Sequence, residues 1–287
     1  MWSCWLLRCR HILSHGLSLP IVSRSCTKRV RVLLQLTAIV MKLFCVGHDN
    51  AGSQAIFKSI RAAFPEAEIE LAITTGLYYR KTFVQSIAKL LRESSFIFCA
   101  SRAFEMVMHR FKGETLRKIA GETNVPFFET DDVNGKETVA RMKAFAPDFL
   151  VSLYTMHIYR AEVLAIPRFA AISAHPSIIP NYRGLEVFFW AMANGEDSIG
   201  VSAFKLTPKI DFGLIVNEVV LPLYKPDRLR RVYAAITEAA ATLLVKSIRE
   251  ILEGKAEFRA PCGAEHYFKM PTREAMARFW RAGHSLF

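Results

Sequence analysis

Two residues that can move protons stand where predicted strands end. His175 closes the run AAISAH, and Asp211 lies in the turn of KLTPKIDFG, between two further apolar runs. A carboxylate beside an imidazole orients the ring and stabilises its charged form, so the two side chains would make a proton-relay pair if the fold brought them together. Pro176 and Pro180 stiffen the loop that leaves His175. Spacing alone leaves this a hypothesis, because histidines in turns are more often structural and aspartate is a common turn residue.

The order of the surrounding elements predicts how this pair is positioned. From Met41 onward, short apolar runs alternate with helical patterns, which predicts an α/β fold with a Rossmann-like, mostly parallel sheet and helices on both faces. IGVSAFKLT and GLIVNEVVLPL follow each other closely and predict an antiparallel pair at one edge. In open sheets of this kind ligands bind beyond the carboxyl ends of the strands, where Tyr154, His175 and the turn after Thr207 are expected. The first turn, GHDNAGSQ, lacks GxGxxG and is a poor dinucleotide site.

Apolar spacing and capping residues predict the individual elements. The predicted strands are KLFCVG, EIELAITTG, VPFFE, DFLVSLY and AAISAH. The predicted helices are SQAIFKSIRAAF, NGKETVARMKAFA capped by Asn134, a short one through AEVLAI, EVFFWAMANG ending at Gly195, a long one that Asp227 caps and Gly254 stops, and PTREAMARFWRAG in a small C-terminal appendage. Residues 79–119 are helical in character but ambiguous. YRKTFVQSIAKLLRE is typical of a basic surface helix, whereas SSFIFCA is also compatible with a short strand.

The first forty residues differ in composition from the rest of the chain. The 287 residues carry a formal charge of +12, which is typical of a protein with an anionic partner. Half of that charge lies in residues 1–40, which contain six basic residues and no Asp or Glu. The segment is interpreted as a non-core leader, either a transit-like peptide or sequence upstream of a start at Met41, and the second interpretation is preferred. Its run VLLQLTAIV is too short to span a bilayer, and no membrane partner is expected.

Cysteine placement bears on metal binding and on location. Three of the six cysteines lie in the leader, and the others, Cys45, Cys99 and Cys262, are far apart. They make no metal-ligand pattern, so no metal site is predicted. Reduced thiols in a cytoplasmic protein are expected.

Short motifs follow one another in a fixed order around His175 and Asp211. They are Ser173-Ala174-His175, the loop from Ser177 to Pro180, Tyr182-Arg183-Gly184, Asn194-Gly195 and Asp211-Phe212-Gly213. Together with the upstream stretch PDFLVSLYTMHIYRAEVLAIPRFAAIS, they resemble the folate-dependent formyltransferases over about residues 120–223. That family includes methionyl-tRNA, glycinamide ribonucleotide and nucleotide-amino-sugar formyltransferases. Several motifs in the right order identify the resemblance more strongly than any one of them.

The resemblance implies a reaction and a set of site residues. Family members transfer the formyl group of 10-formyltetrahydrofolate to an amine. By this likeness His175 would stabilise the oxyanion and help to move protons, while Asp211 would hold His175 and assist deprotonation of the amine. The family's catalytic asparagine, two positions before the histidine, is replaced by Ser173, whose hydroxyl can donate over a shorter reach. The residues expected at the folate are Tyr154, Met156, Ile158, Ser177 and Pro180, together with backbone groups of the Asp211 turn.

The resemblance leaves more than one function open. An amino sugar on a nucleotide is the preferred acceptor. Methionyl-tRNA is less expected, because residues 224–287, predicted as a helix and appendage after a catalytic domain of residues 41–223, are too few for the barrel domain of the tRNA enzymes. Hydrolysis of 10-formyltetrahydrofolate is an alternative, since family members that hydrolyse it also lack the asparagine. A folate- or sugar-nucleotide-binding protein without catalysis is the non-enzymatic alternative, and a homodimer is also left open.

Overall fold

A seven-stranded mixed sheet runs through the part of the chain that the computed structural model describes, namely residues 40–75, 92, 94–111 and 113–287. In chain order the strands are β1 (Lys42–His48), β2 (Glu68–Thr74), β3 (Phe127–Thr130), β4 (Phe149–Leu153), β5 (Ala170–His175), β6 (Arg183–Gly184), β7 (Ser198–Lys205), β8 (Ile215–Pro222) and β9 (Tyr267–Phe268). The sheet order is β3-β2-β1-β4-β5-β7-β8. The first five strands in this order run parallel to one another. β7 is antiparallel to β5, and β8 is antiparallel to β7. The predicted mostly parallel sheet with an antiparallel edge is confirmed.

The central strands are apolar along their whole length because both of their faces are covered. Every residue of β4 and of β5 is buried, which is typical of parallel strands between two helical layers. The edge strand β8 is more open, and Val220 is 61% exposed. The carboxyl ends of β4 and β5 lie side by side at one edge of the sheet, and His175 is the last residue of β5. The turn after Thr207 was expected at the same ends, but it leaves the antiparallel strand β7 beside Ala171, near the amino end of β5.

Helices pack on both faces of the sheet, as predicted. They are α1 (Ala51–Ala63), α2 (Phe96–Phe111), α3 (Leu116–Glu122), α4 (Lys136–Phe145), α5 (Ala161–Leu164), α6 (Val187–Ala193), α7 (Leu229–Leu252) and α8 (Arg273–Arg281). One apolar core packs α1, α3 and α7 against Cys45 and Val151, and a second packs α4 and α5 against Phe44 and Leu150. None of the helices in the described part of the chain has the length and apolarity that crossing a membrane would require.

From Phe96 onward the stretch SSFIFCA forms the start of α2, so its interpretation as a strand is wrong. Phe98 and Ser101 of this helix are buried, and their spacing of three residues is helical. Phe98 packs edge to face on Phe189 of α6, with ring centroids 5.3 Å apart. A short apolar run does not distinguish a buried helix from a strand by pattern alone, and here packing on α6 favours the helix.

Two predicted helix caps are also wrong. α4 has Gly135 at its N-cap without a side-chain hydrogen bond, because the amide of Asn134 is used elsewhere, as described below. α7 has Arg228 at its N-cap. Asp227 lies one residue earlier, where its Oδ1 accepts from the Arg228 amide at 2.7 Å and its carboxylate pairs with Arg231. The hydrogen bond from Arg231 lowers the pKa of Asp227.

The long helix α7 belongs to the main core. Ile236, Ala240, Leu244 and Ile248 are fully buried, and their spacing of four residues keeps them on one face of the helix. This face packs against α1 and against the sheet. Beyond α7, the two-residue strand β9 pairs with β6 in a small sheet of its own.

Two predictions concern residues outside those that the structure describes. The leader of residues 1–40 falls there except for Val40, and so does most of the predicted surface helix over 79–93. Both stay predictions, as does the domain boundary at Leu223.

Candidate active site

The ring of His175 lies against the turn that carries Asp211. Its Nδ1 is 3.3 Å from Oδ1 of Asp211, and the His175 side chain is 7% exposed. The structure therefore brings together the two residues that the sequence singled out. His175 is more buried than a residue in an open turn, because the antiparallel strand β7 runs beside it and pairs Ser202 with it.

Both nitrogens of the His175 ring face hydrogen-bond acceptors. Nε2 lies 2.9 Å from the backbone carbonyl oxygen of Tyr182, and Nδ1 faces the Asp211 carboxylate. Nδ1 and the Asp211 carboxylate are at ion-pair distance, so Asp211 would be the counter-charge of a protonated ring. For Nε2 to contact a substrate, that substrate must replace the Tyr182 carbonyl as its partner.

The neighbouring Arg183-Gly184 pair holds the turn of Asp211 by its side chain and by its backbone. Oδ2 of Asp211 accepts from the Gly184 amide at 2.8 Å. Arg183 donates from Nε and Nη2 to the carbonyl oxygen of Ile210, at 2.8 and 2.6 Å. Asp211 itself has a φ of 45°, in the left-handed region that aspartate and asparagine tolerate better than most other residues. Arg183 and Gly184 thus fix both the carboxylate and the backbone of the turn.

Close packing requires glycine at two positions of the motifs. A Cβ on Gly184 would collide with the carbonyl oxygen of Phe268, and the φ of 101° at Gly184 also disfavours any side chain. A Cβ on Gly213 would collide with the carbonyl oxygen of Lys205. The aromatic-Arg-Gly and Asp-x-Gly motifs therefore have a steric reason for their glycines.

Ser173 lies beside the site, with its hydroxyl bonded to the sheet. It stands two residues before His175 and so on the same face of β5. Its Oγ donates to the carbonyl oxygen of Ser152 on β4 at 3.1 Å. A serine hydroxyl has one proton to donate, so while this bond lasts Ser173 offers no donor to a substrate oxygen. Its role as an oxyanion contact stays a prediction.

Met156 and Ile158 present apolar side chains to solvent just beyond β4. They are 39% and 54% exposed. Asn134 anchors the backbone of this segment, since its Nδ2 donates to the Ile158 carbonyl at 2.9 Å and its Oδ1 accepts from the Arg160 amide at 2.7 Å. Anchored, exposed apolar side chains at the carboxyl edge fit a flat, partly apolar ligand. Their contact with folate stays a prediction.

The other three residues expected at the folate are more enclosed. Tyr154 packs its ring against Gly52 of α1, and burial raises the pKa of its hydroxyl. Ser177 is buried, and its hydroxyl donates to the Tyr182 carbonyl. Pro180 is buried in the same loop. Their contact with folate stays a prediction.

Tyr182 is a residue to which the sequence assigned no role. Its ring stacks on Phe268, with centroids 4.8 Å apart and planes inclined by 10°. Its hydroxyl donates to Oε1 of Glu196 at 2.7 Å. Burial raises the pKa of this hydroxyl to about 12, and the Glu196 carboxylate acts in the same direction. The aromatic-Arg-Gly motif marked the position of Tyr182, but no local pattern linked it to Phe268.

The C-terminal strand β9 lies against the residues that hold Asp211. It pairs in parallel with β6, and Glu265, just before it, accepts from Nη1 of Arg183 at 2.8 Å. Tyr267 of β9 is half exposed, and burial together with the Asp211 carboxylate raises its pKa. No motif marks this segment, and no local pattern indicated that it reaches the site.

The described cysteines are free thiols. Cys45 is buried, which raises its pKa to about 12, whereas Cys262 is exposed. Within the described ranges, no group of three or more His, Cys, Asp or Glu side chains could hold a metal ion.

Comparison with known sequences gives one family. Residues 98–248, more than half of the chain, match the family described as formyl transferase. A methionyl-tRNA formyltransferase of Herpetosiphon aurantiacus is 34% identical over 141 residues, which are 49% of this chain and 46% of that protein. A bifunctional polymyxin resistance protein ArnA of Wigglesworthia glossinidia brevipalpis is 27% identical over 141 residues, which are 49% of this chain and 22% of that protein. The chain thus spans less than half the length of these two relatives.

Among solved structures, an N-formyltransferase of Helicobacter canadensis in complex with folinic acid and dTDP-3-aminofucose resembles the fold. The TM-score is 0.55 at 16% identity, and the match covers 82% of this chain and 72% of that chain. At this identity the likeness concerns the α/β fold.

Proposed function

Because the chain belongs to the formyl transferase family, we propose that it transfers a formyl group from 10-formyltetrahydrofolate to a primary amine. The observation that carries this proposal is the contact of 3.3 Å between His175 Nδ1 and Asp211 Oδ1. It lies at the carboxyl edge of the parallel sheet, where open α/β folds bind their ligands. Two residues that the resemblance assigns to one reaction therefore occupy one site.

His175 would act on the formyl oxygen and on the protons of the reaction. Attack by an amine gives the formyl oxygen a negative charge, which a positively charged imidazole stabilises. The Asp211 carboxylate, 3.3 Å from Nδ1, would be the counter-charge of that form. A proton of the amine would pass by way of His175 to the departing folate nitrogen, with Asp211 assisting.

Met156 and Ile158 are the residues that we assign to the folate. Their exposed apolar side chains suit a flat pterin ring, and the backbone of the Asp211 turn would supply polar contacts. When bound, 10-formyltetrahydrofolate supplies the activated formyl group, and these residues hold it beside His175. The folinic acid in the H. canadensis structure supports a reduced folate as the formyl donor.

We propose an amino sugar on a nucleotide as the acceptor. The dTDP-3-aminofucose bound to the H. canadensis protein supports this choice. Half of the net charge of +12 lies outside residues 1–40, and mild positive charge suits a phosphate-bearing substrate. Methionyl-tRNA is the alternative acceptor, given the name of the H. aurantiacus relative.

Hydrolysis of 10-formyltetrahydrofolate is the second candidate activity, and the hydrogen bond that occupies the Ser173 hydroxyl favours it. With its hydroxyl bonded to Ser152, the site lacks the amide donor of the family at this position. Water in place of the amine would give formate and tetrahydrofolate. A binding protein without catalysis is disfavoured, because the contact between His175 and Asp211 is intact.

We expect the protein to convert 10-formyltetrahydrofolate when a suitable amine is present. The test incubates it with a panel of nucleotide-linked amino sugars and measures formylated product and formate in the same samples. Matched N-acetylated sugars are the control, since they lack the nucleophilic amine. Formylated product that appears only with the amino sugars supports transfer. Formate in every sample supports hydrolysis. If neither product forms, both activities are contradicted.

Thermal unfolding with 5-formyltetrahydrofolate separates a failure to bind from a failure to react. A ligand of the native state at about 100 times its Kd adds about 2.7 kcal/mol to the free energy of unfolding. For a chain of this size the melting temperature should rise by roughly 5–10 °C. No rise at millimolar ligand would count against any folate enzyme.

Replacing Ser173 by asparagine is expected to raise the ratio of formyl transfer to formate release. Losing one oxyanion donor costs about 100-fold or more in kcat, so regaining one should raise formyl transfer by at least about tenfold. Formate release should gain less, because the family members that hydrolyse the cofactor lack the asparagine. Ser173→Ala is the matched control and should leave the ratio unchanged, because the hydroxyl is bonded to the Ser152 carbonyl. Equal ratios in the wild type and in a folded Ser173→Asn variant would show that this position packs the strand end and does no more.

A further inference from the structure

We propose that Glu265 is a positioning residue for Asp211, which makes the C-terminal segment part of the framework of the active site. The inference rests on the proposed function, because Asp211 is the residue that would orient His175. Glu265 lies outside residues 98–248, which match the family. It acts through three connected contacts.

The first contact neutralises a buried arginine. Arg183 is 8% exposed, and a guanidinium removed from water requires acceptors and a counter-charge. Its Nε and Nη2 donate to the carbonyl oxygen of Ile210, and its Nη1 donates to Oε2 of Glu265 at 2.8 Å. Within the described residues, Glu265 is the carboxylate at salt-bridge distance from Arg183. Glu265 therefore supplies the negative charge that allows the buried Arg183 guanidinium to hydrogen-bond to the turn.

The second contact joins the same carboxylate to the turn itself. Lys209 donates from Nζ to both oxygens of Glu265, at 3.0 and 2.8 Å. Its ammonium also lies 3.7 Å from the centroid of the Phe212 ring. Glu265 thus binds one residue of β6 and one residue of the Asp211 turn. It bridges the two segments whose relative position sets the distance from Asp211 to His175.

The third contact, between the Gly184 amide and the Asp211 carboxylate, does not include Glu265 itself but depends on Arg183, which Glu265 holds. Asp211 keeps its left-handed φ of 45° while its Oδ2 accepts from the Gly184 amide. Such a conformation persists when the surroundings fix it. Gly184 follows Arg183 directly. A shift of Arg183 would therefore weaken both its own hydrogen bonds to the Ile210 carbonyl and the hydrogen bond from Gly184 to Asp211. The Glu265 side chain is 44% exposed, but its loss would leave the buried Arg183 guanidinium without a counter-charge. We therefore expect Glu265→Ala to loosen the placement of Asp211 and also to lower the melting temperature.

The test compares Glu265→Ala and Glu265→Gln with Glu257→Ala, which removes an exposed carboxylate of the same segment outside this network. We expect Glu265→Ala to lower kcat by about tenfold to a hundredfold, as small misplacements of reacting groups do. KM for both substrates should stay within about threefold, because no substrate contact is removed. Glu265→Gln should be intermediate, since its amide oxygen can still accept from Arg183. Glu257→Ala should match the wild type.

Hydrogen exchange of the peptide covering residues 205–214 gives a readout that does not depend on turnover. Exchange should be faster in Glu265→Ala than in the wild type and in Glu257→Ala. Unchanged kcat, a change in KM alone, or a fall in kcat without faster exchange would each overturn the proposal. If the wild type shows no formyl chemistry, the proposed function fails, and unchanged exchange would still overturn the role of Glu265 in holding the turn.

Discussion

Formyl transfer by a His175→Ala variant is expected to fall by about a hundredfold to ten-thousandfold, the usual contribution of a positioned acid or base. The variant loses the group that would stabilise the oxyanion and carry the proton. Because the ring is buried between Asp211 and the Tyr182 carbonyl, its removal should also lower the free energy of unfolding by about 1–3 kcal/mol. The measurements are kcat/KM with 10-formyltetrahydrofolate and amine, and the thermal unfolding midpoint.

His175→Asn separates the chemical loss from the structural one. An asparagine amide can donate towards Asp211 from a position near that of Nδ1, but it neither becomes charged nor carries a proton. We therefore expect this variant to melt closer to the wild type than His175→Ala while remaining as inactive. Turnover of His175→Asn within about tenfold of the wild type would exclude His175 as the proton carrier.

Replacing Asp211 by asparagine is expected to lower turnover by about a hundredfold or more. If the asparagine oxygen keeps the hydrogen bond from the Gly184 amide, its NH₂ group faces Nδ1 of His175. Nδ1 must then accept, which leaves a neutral ring with its proton on Nε2 facing the Tyr182 carbonyl. The imidazolium would lose its counter-charge as well as its orientation. The measurement is kcat with saturating substrates.

The backbone at residue 211 makes asparagine a well-matched test. Asparagine tolerates a φ of 45° as aspartate does, and the two side chains have nearly the same shape. The melting temperature should therefore stay within a few degrees of that of the wild type, while Asp211→Ala should melt lower because it also loses the bond from Gly184. Turnover of Asp211→Asn within about threefold of the wild type would remove the carboxylate from the mechanism.

Local sequence pattern was enough to predict most of the fold. The runs that became β1, β4 and β5 are apolar because both faces of these strands are buried, and such runs can be recognised without knowing their neighbours. The position of His175 followed from the same pattern, because the carboxyl ends of parallel strands face the ligand side. The Asp211 turn leaves the antiparallel strand β7 beside Ala171, so the tertiary structure, and not the strand pattern, brings it to His175. The resemblance to a family added the reaction, which spacing by itself did not supply.

The predictions that were wrong concern features that depend on what lies next to them. SSFIFCA has the composition of either a helix or a strand, and its packing on Phe189 decided for the helix. Asn134 has the side chain of a helix cap, but the loop after β4 offered it the Ile158 carbonyl and the Arg160 amide instead. Capping residues can bond to several local or distant partners, and the tertiary structure selects among them.

The sequence by itself determined the α/β layout, the strand end that carries His175, and the motifs that mark Asp211 and the glycines around it. Only the tertiary structure decided which groups surround these two residues. The Ser173 hydroxyl binds a carbonyl on the neighbouring strand, and Glu265 reaches Arg183 across 82 residues of chain. The physical reason is that periodicity records which face of an element is buried, whereas hydrogen bonds between distant segments depend on how those elements pack.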